Sequence, residues 1–420
     1  MGLDSFFVVN PKGAFRISNG SLSISFRGMV KQTTLAYLFD IAGLIAGFLI
    51  AYQLNLFEHY RWALALYPAL ISTRIINGLL SGRLSTALHL GTINPQFSKN
   101  TQSFYKLLHG IIVLTLVTSL TVSVISVFFG YLFLGIRLSD FPTLLFVTVS
   151  TLAIGLLFSL ATIKVAFVSF KRGLDPDIIV YPVIATSASI FITLCYVGVL
   201  KLSTFLPGTF LIAGIGLAHL FIVLFLVSRD RNDFEFKRTV RESFLMLILV
   251  ALIVTLTGTI FGGLTRFTQK EIVMIYPALL TAYPALINNI SNVGSVVGST
   301  ANTKLALGLL RPTFNSIRNH AKNIASAWLA SFFIFVVLAL SSLAINRVSS
   351  LSNVLDVITI IWLSNVIAVI GIVLVSYSIA ILTFRRGLNP ENFVIPLETS
   401  FATIIMSTSL LITLLLFTLH

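Results

Sequence analysis

A six-residue turn occurs twice in this 420-residue chain, as RGLDPD at 172–177 and RGLNPE at 386–391, each time between two long apolar runs. Five residues beyond the acid of each copy stands a proline, Pro182 and Pro396, and the copies lie 214 residues apart. YPALI at 67–71 returns at 283–287, an offset of 216, and TALHLG at 86–91 aligns with TKLALG at 303–308, an offset of 217. Three matches in one order at nearly one offset are a tandem duplication, which constrains the fold more than any local pattern. In an apolar chain built from two repeats, the working site tends to lie where the repeats meet, near the bilayer midplane.

The composition places the chain in a membrane. Mean hydropathy is +0.98; 56% of residues are hydrophobic and 10% are charged, against about 25% charged in a soluble domain. Eleven apolar runs, at about 34–56, 61–80, 104–136, 142–169, 177–200, 206–228, 244–264, 271–291, 323–345, 353–383 and 392–418, are each long enough to cross as a helix. Unbroken apolar runs of this kind suit helices, because backbone polar groups in lipid must be satisfied within the segment. The expected fold is all-α and polytopic. The single cysteine, Cys195, lies inside a run, so the sequence offers no disulfide framework and no cysteine metal site.

The net charge of +14 is distributed by side. With the N-terminus in the cytoplasm, 20 Arg and Lys residues fall on cytoplasmic segments and 6 on outer ones, with Arg74 and Lys164 inside spans. This is the positive-inside pattern. It uses the basic charge at a lipid surface and leaves no basic-aromatic cluster for nucleic acid. His420 is then outside, and the expected location is the plasma membrane. Spans 1–5 match spans 7–11, and six spans separate equivalent helices. The two five-helix repeats are therefore parallel, related by a pseudo-two-fold axis along the membrane normal, like a homodimer fused into one monomeric chain. The expected divisions are a cytoplasmic segment at 1–33, a first repeat at 34–201, a connecting helix and charged link at 202–243, and a second repeat at 244–420. The link, RDRNDFEFKRTVRES at 229–243, reads as a solvated cytoplasmic connection.

The twice-used turn is explained by capping. Lys171, Arg172, Arg385 and Arg386 suit the negative end of a helix dipole. Gly173 and Gly387 suit a left-handed C-cap, and Asp175 and Asn389 cap the next helix, which Pro176 and Pro390 begin. Pro182 and Pro396 are different, because they stand inside spans and free backbone carbonyls. Thr186, Ser187 and Ser189 follow the first; Thr399, Ser400 and Thr403 follow the second. Such residues either hold helices together or line a pathway. Pro68 and Pro284 interrupt spans 2 and 8 in the same way. Beyond them lie Arg74, Asn77 and Gly78 in one copy, and Asn288, Asn289, Ser291, Asn292 and Gly294 in the other. Amide and hydroxyl oxygens are hard ligands, suited to Mg²⁺ or Ca²⁺; close helix packing is the alternative reading.

Ionisable residues within spans are few and each has a partner to find. Glu398 lies two residues after Pro396 and has no acidic counterpart in the first copy. Asp40 lies in span 1. Glu398 is either a cation ligand or the partner of Arg74, for which Asp40 competes.

PALISTR…NGLLSGRLSTALHLG at 68–91, with RGLDPD and its proline downstream, resembles the integral-membrane domain of MgtE-type magnesium transporters, and most closely the archaeal and eukaryotic solute-carrier branch in which that domain is duplicated. The resemblance implies a Mg²⁺ or wider divalent-cation pathway between the two copies, lined by the second and fifth helices of each. The family's fifth-helix aspartate falls on Ser189 and Thr403, and the Gly-Asn pair of its second helix falls on Ile75-Ile76, with Asn77 adjacent, and on Ser291-Asn292. The expected metal set is thus Glu398, Asn292, Thr399, Thr403, Asn77 and Ser189. Pro68, Arg74, Pro182, Thr186, Pro284, Asn288 and Pro396 line the pathway. No cofactor is expected beyond the transported ion, and the partners are the bilayer and that ion. Transport of another small solute, and a membrane scaffold with a degenerate ion site, remain alternatives. No nucleophile, base and orienter set suggests an enzyme.

Overall fold

The computed structural model describes residues 17–18, 21–22 and 26–418, except 61, 74, 90, 172–175, 268–275, 307 and 387–389. A two-strand hairpin, β1 (Ile17–Ser18) and β2 (Ser21–Leu22), precedes the helices. Span 1 is α1 (Phe26–Tyr37), a tight 3-10 segment (Leu38–Ala42) and α2 (Gly43–Tyr52), and the short α3 (Leu54–His59) follows it. Span 2 is α4 (Ala63–Ser72) and α5 (Ile75–His89); span 3 is α6 (Gln102–Phe129); span 4 is α7 (Phe141–Gly155) and α8 (Leu157–Lys171); span 5 is α9 (Pro176–Leu202). The connector is α10 (Leu206–Asp230). The second repeat is α11 (Phe234–Phe267), α12 (Tyr276–Ala306), α13 (Ile317–Ile345), α14 (Leu351–Arg385) and α15 (Pro390–Thr418).

The all-α, multi-pass architecture agrees with the sequence reading. Among the described residues, 9 helical stretches are long and apolar enough to cross a membrane. The other two expected spans fall on α11, with a shorter apolar stretch at Leu247–Ile260, and on α12. The reason α12 is polar lies in its position. Every residue from Thr281 to Ser291 is buried, so neighbouring helices screen its asparagines from lipid. The connector α10 is the opposite case, with Phe210, Phe221 and Phe225 turned outward.

The first span of each repeat packs into the other repeat. Helices α1 and α2 lie against α13 and α12, while α11 lies against α6 and α4. Each also touches the fifth span of its own half, α2 on α9 and α11 on α15. Small residues permit the close crossings. A Cβ on Gly47 would collide with the backbone of Thr281, and one on Gly258 with the carbonyl oxygen of Ala65. The two crossings are pseudo-symmetric, since Ala65 and Thr281 stand two residues before Tyr67 and Tyr283 of the repeated YPALI. The tyrosines are themselves matched: Tyr67 bonds Thr193 at 3.2 Å, and Tyr283 bonds Ser407 at 2.6 Å. The second spans also touch the fifth spans of the opposite half, α5 and α4 on α15 and α12 on α9.

Backbone continuity is not symmetric. Span 2 breaks at Thr73, after Ser72 has bonded back to the Pro68 carbonyl at 2.8 Å, whereas α12 runs unbroken through Pro284. Span 4 breaks at Leu156, whereas α14 is continuous over 35 residues. Pro68 likewise lies inside a continuous α4, with the break only beyond Ser72, so the expectation that Pro68 and Pro284 interrupt their spans is corrected for both. In a screened helix, neighbouring groups satisfy the carbonyl that proline frees.

The charged link is also different from a freely solvated connection. Asp230 is 1% exposed and is held by Lys106 Nζ and His109 Nδ1 of α6, each at 2.5 Å. Arg83 of α5 donates to Thr239 Oγ1 of α11 at 3.0 Å and to Ser243 Oγ at 3.3 Å. Charges at the end of α10 and hydroxyls at the start of α11 thus clamp two first-repeat helices, α5 and α6.

Candidate functional site

Four spans, the second and fifth of each repeat, share contacts at the centre, and most of the singled-out side chains lie on them. The fifth helix of the second repeat, α15, carries Glu398, Thr399 and Thr403, all buried. Thr403 Oγ1 meets Ser72 Oγ of α4 at 3.2 Å, a contact between repeats. Thr399 Oγ1 accepts from Ser291 Oγ of α12 at 3.4 Å. Both threonines sit one turn apart, and Thr403 also donates to the Thr399 carbonyl at 2.9 Å. Ser189, the first-repeat counterpart of Thr403, bonds back to the Ala185 carbonyl at 2.9 Å. Thr186, Asn288, Pro68 and Pro284 are buried as well.

Glu398 is 1% exposed, and among the described residues neither carboxylate oxygen has a hydrogen-bond partner. Its polar neighbour is Ser376 of α14, whose hydroxyl is likewise without a partner among the described residues. A Cβ on Gly294 of α12 would press on Ser376 Oγ at 2.8 Å, so α12, α14 and α15 close around this spot. A buried carboxyl without a donor is costly, and native interiors leave few such groups unexplained.

A second polar centre was not assembled from the sequence. Asp40, on the 3-10 turn of span 1 and 1% exposed, accepts from Asn289 Nδ2 and Asn292 Nδ2 of α12, each at 2.9 Å. Asn289 Oδ1 accepts from Ser331 at 2.6 Å, Ser331 Oγ from Asn365 at 2.8 Å, and Asn365 Oδ1 from Trp328 Nε1 at 3.2 Å. This chain joins spans 1, 8, 9 and 10. Its sequence signal was the acid inside span 1; its partners, on the other repeat, left no mark in spacing.

Asn77 stands apart from both centres. Its Oδ1 accepts from Ser159 at 3.1 Å and Thr162 at 3.4 Å, tying span 2 to span 4 beside a small cavity at the Thr73 break. Arg74, the twin turns at 172–175 and 387–389, and the side chains of Pro182 and Pro396 lie outside the described residues. Among the described residues, no three His, Cys, Asp or Glu side chains cluster as a ready-made metal cage. The oxygen donors here are amides, hydroxyls and single carboxylates, a set suited to a hard cation that keeps part of its water.

A family model described as MgtE, divalent cation transporter, matches residues 67–199 and again residues 283–416. Each match takes in the second to fifth spans of one repeat and leaves out the exchanged first span. No curated protein and no solved structure matches the chain.

Proposed function

We infer that this chain, which belongs to the MgtE divalent cation transporter family, moves Mg²⁺ across the plasma membrane between its two repeats. Transport of divalent cations is what the family membership carries; the choice of Mg²⁺, the path and the ligands are our reading. Glu398 is its fixed negative charge, with Asn292, Thr399 and Thr403 as oxygen donors on the second-repeat side. Ser189 and Asn77 complete the first-repeat side, the latter after releasing Ser159 and Thr162. Pro68, Arg74, Pro182, Thr186, Pro284, Asn288 and Pro396 line the approach. The N-terminus is cytoplasmic and the C-terminus outside, and the fused pseudo-dimer works as a monomer.

The observation that carries this reading is the unpartnered carboxyl of Glu398. An intramembrane acid with no donor among the described residues is functional by default, and a proton or a cation can supply the partner. Mg²⁺ is usually held by one or two carboxylates and retains several waters. One glutamate with nearby hydroxyls makes a weak site of that kind. Ser189 and Thr403, where the family resemblance expects aspartates, favour a second reading in which another small solute is carried.

Uptake into proteoliposomes, with Mg²⁺, Mn²⁺, Co²⁺ and Ca²⁺ compared side by side, separates the two. Saturable Mg²⁺ flux that the other ions compete with is expected. Intact, oriented protein that moves none of the four would overturn the cation reading and leave the other-solute reading.

A further inference from the structure

Asp40 belongs to the first span, which the family match leaves out, yet it reaches α12 of the opposite repeat. A carboxylate is an acceptor only, whereas an asparagine amide has one donor end and one acceptor end. The nitrogens of Asn289 and Asn292 must therefore face Asp40, and their carbonyl oxygens must face away. For Asn289 that oxygen is occupied by Ser331. For Asn292 it is left without a donor among the described residues. Asn292 is also the one partly exposed residue between Thr281 and Gly294. Its amide is thus held by the nitrogen end, on a residue that is itself partly exposed.

Every donor in the neighbouring chain points the same way. Trp328 donates to Asn365, Asn365 to Ser331, Ser331 to Asn289, and Asn289 to Asp40. Three helices, α12, α13 and α14, fix the position of one carboxylate, and such connected networks hold their members in a single arrangement. The first repeat offers no copy of it: the residues at the same offset from Asn289 and Asn292 are Thr73 and Ile76.

We propose that Asp40 is a positioning residue for transport: it sets the amide of Asn292 so that the carbonyl oxygen, not the nitrogen, faces a passing divalent cation. This deepens the proposed function and rests on it. The ion is therefore met by an oriented oxygen from one repeat only, and the residue that orients it comes from the other.

The experiment compares Mg²⁺ flux in proteoliposomes for the intact protein, Asp40→Asn, Asn292→Leu, and the double variant Asp40→Asn/Asn292→Asp. Asp40→Asn should raise KM about tenfold, the scale of one misdirected bond to a charged group, with the maximal rate held. Asn292→Leu should do the same. The double variant should restore a low KM, because a carboxylate at 292 has two equivalent oxygens and needs no orienting. It also returns the lost charge to the same interface, so it carries the test if Asp40→Asn alone folds poorly. An unchanged KM in Asp40→Asn, or a raised KM that the second substitution leaves unrestored, would overturn the proposal. Absence of flux from the unmodified protein would instead overturn the functional reading beneath it.

Discussion

Gly47 faces Thr281 across a helix crossing so close that the backbone of Thr281 occupies the place of a side chain on Gly47. Gly258 stands in the same relation to Ala65. These are two of the close crossings at which each repeat accepts the first span of the other. In lipid, where apolar burial adds little between helices, close approach of this kind is a main source of association.

Gly47→Leu and Gly258→Leu should therefore each lower the thermal stability of the detergent-purified protein, by about 1–3 kcal/mol or more, because the obstructing atoms are backbone. Gly214→Leu, at a site with open space around it, should leave stability unchanged. Equal unfolding temperatures for all three would contradict the interlocked packing.

The clamp on the link gives an asymmetric expectation. Lys106→Met leaves a nearly inaccessible Asp230 with one partner fewer, a change that costs about 3 kcal/mol when a buried charge loses its counter-ion. Asp230→Asn leaves Lys106 and His109, which are about one-fifth exposed and open to water, and should cost less. Chemical or thermal unfolding of both variants checks the order; the reverse order would place the cost elsewhere.

Glu398→Gln should reduce divalent flux while leaving the fold intact, since a neutral amide is tolerated where a bare carboxylate is not. Ser189→Asp should tighten Mg²⁺ binding, because it supplies a second carboxylate. Normal transport by Glu398→Gln would remove this residue from the pathway.

Topology is testable without transport. In a Cys195→Ser background, a cysteine placed at 235, in the charged link, should react with an impermeant reagent only from the cytoplasmic side, as the distribution of Arg and Lys requires. Labelling from outside would invert the whole chain.

What could be read from the sequence was what apolar length and repetition encode. The helices fall where the runs were, and the YPALI copies end in matched tyrosine contacts, Tyr67 with Thr193 and Tyr283 with Ser407. Pairings between distant elements were out of reach. Asp40 meets Asn289 and Asn292 because span 1 crosses into the other repeat, and no periodicity within span 1 records that crossing. Local chemistry also misled where tertiary contacts dominate. Pro284 leaves α12 continuous, and Asp230, in a stretch that reads as solvated, is nearly inaccessible. The bonds of Asn77 to Ser159 and Thr162 on span 4 were likewise not legible in its spacing.

The exchange of first spans has a consequence for biogenesis. Asp40 leaves the ribosome long before Asn289 exists; at about 5–20 residues per second the interval is roughly 12–50 seconds. Throughout that time the first span sits in the bilayer with an acid on it and no asparagines to receive it. A nascent chain stalled before α12 would hold an unfinished helix, and so would either half expressed alone. Assembly must wait for the second repeat, and quality control in the membrane has a long window in which to recognise, shield or remove the waiting segment.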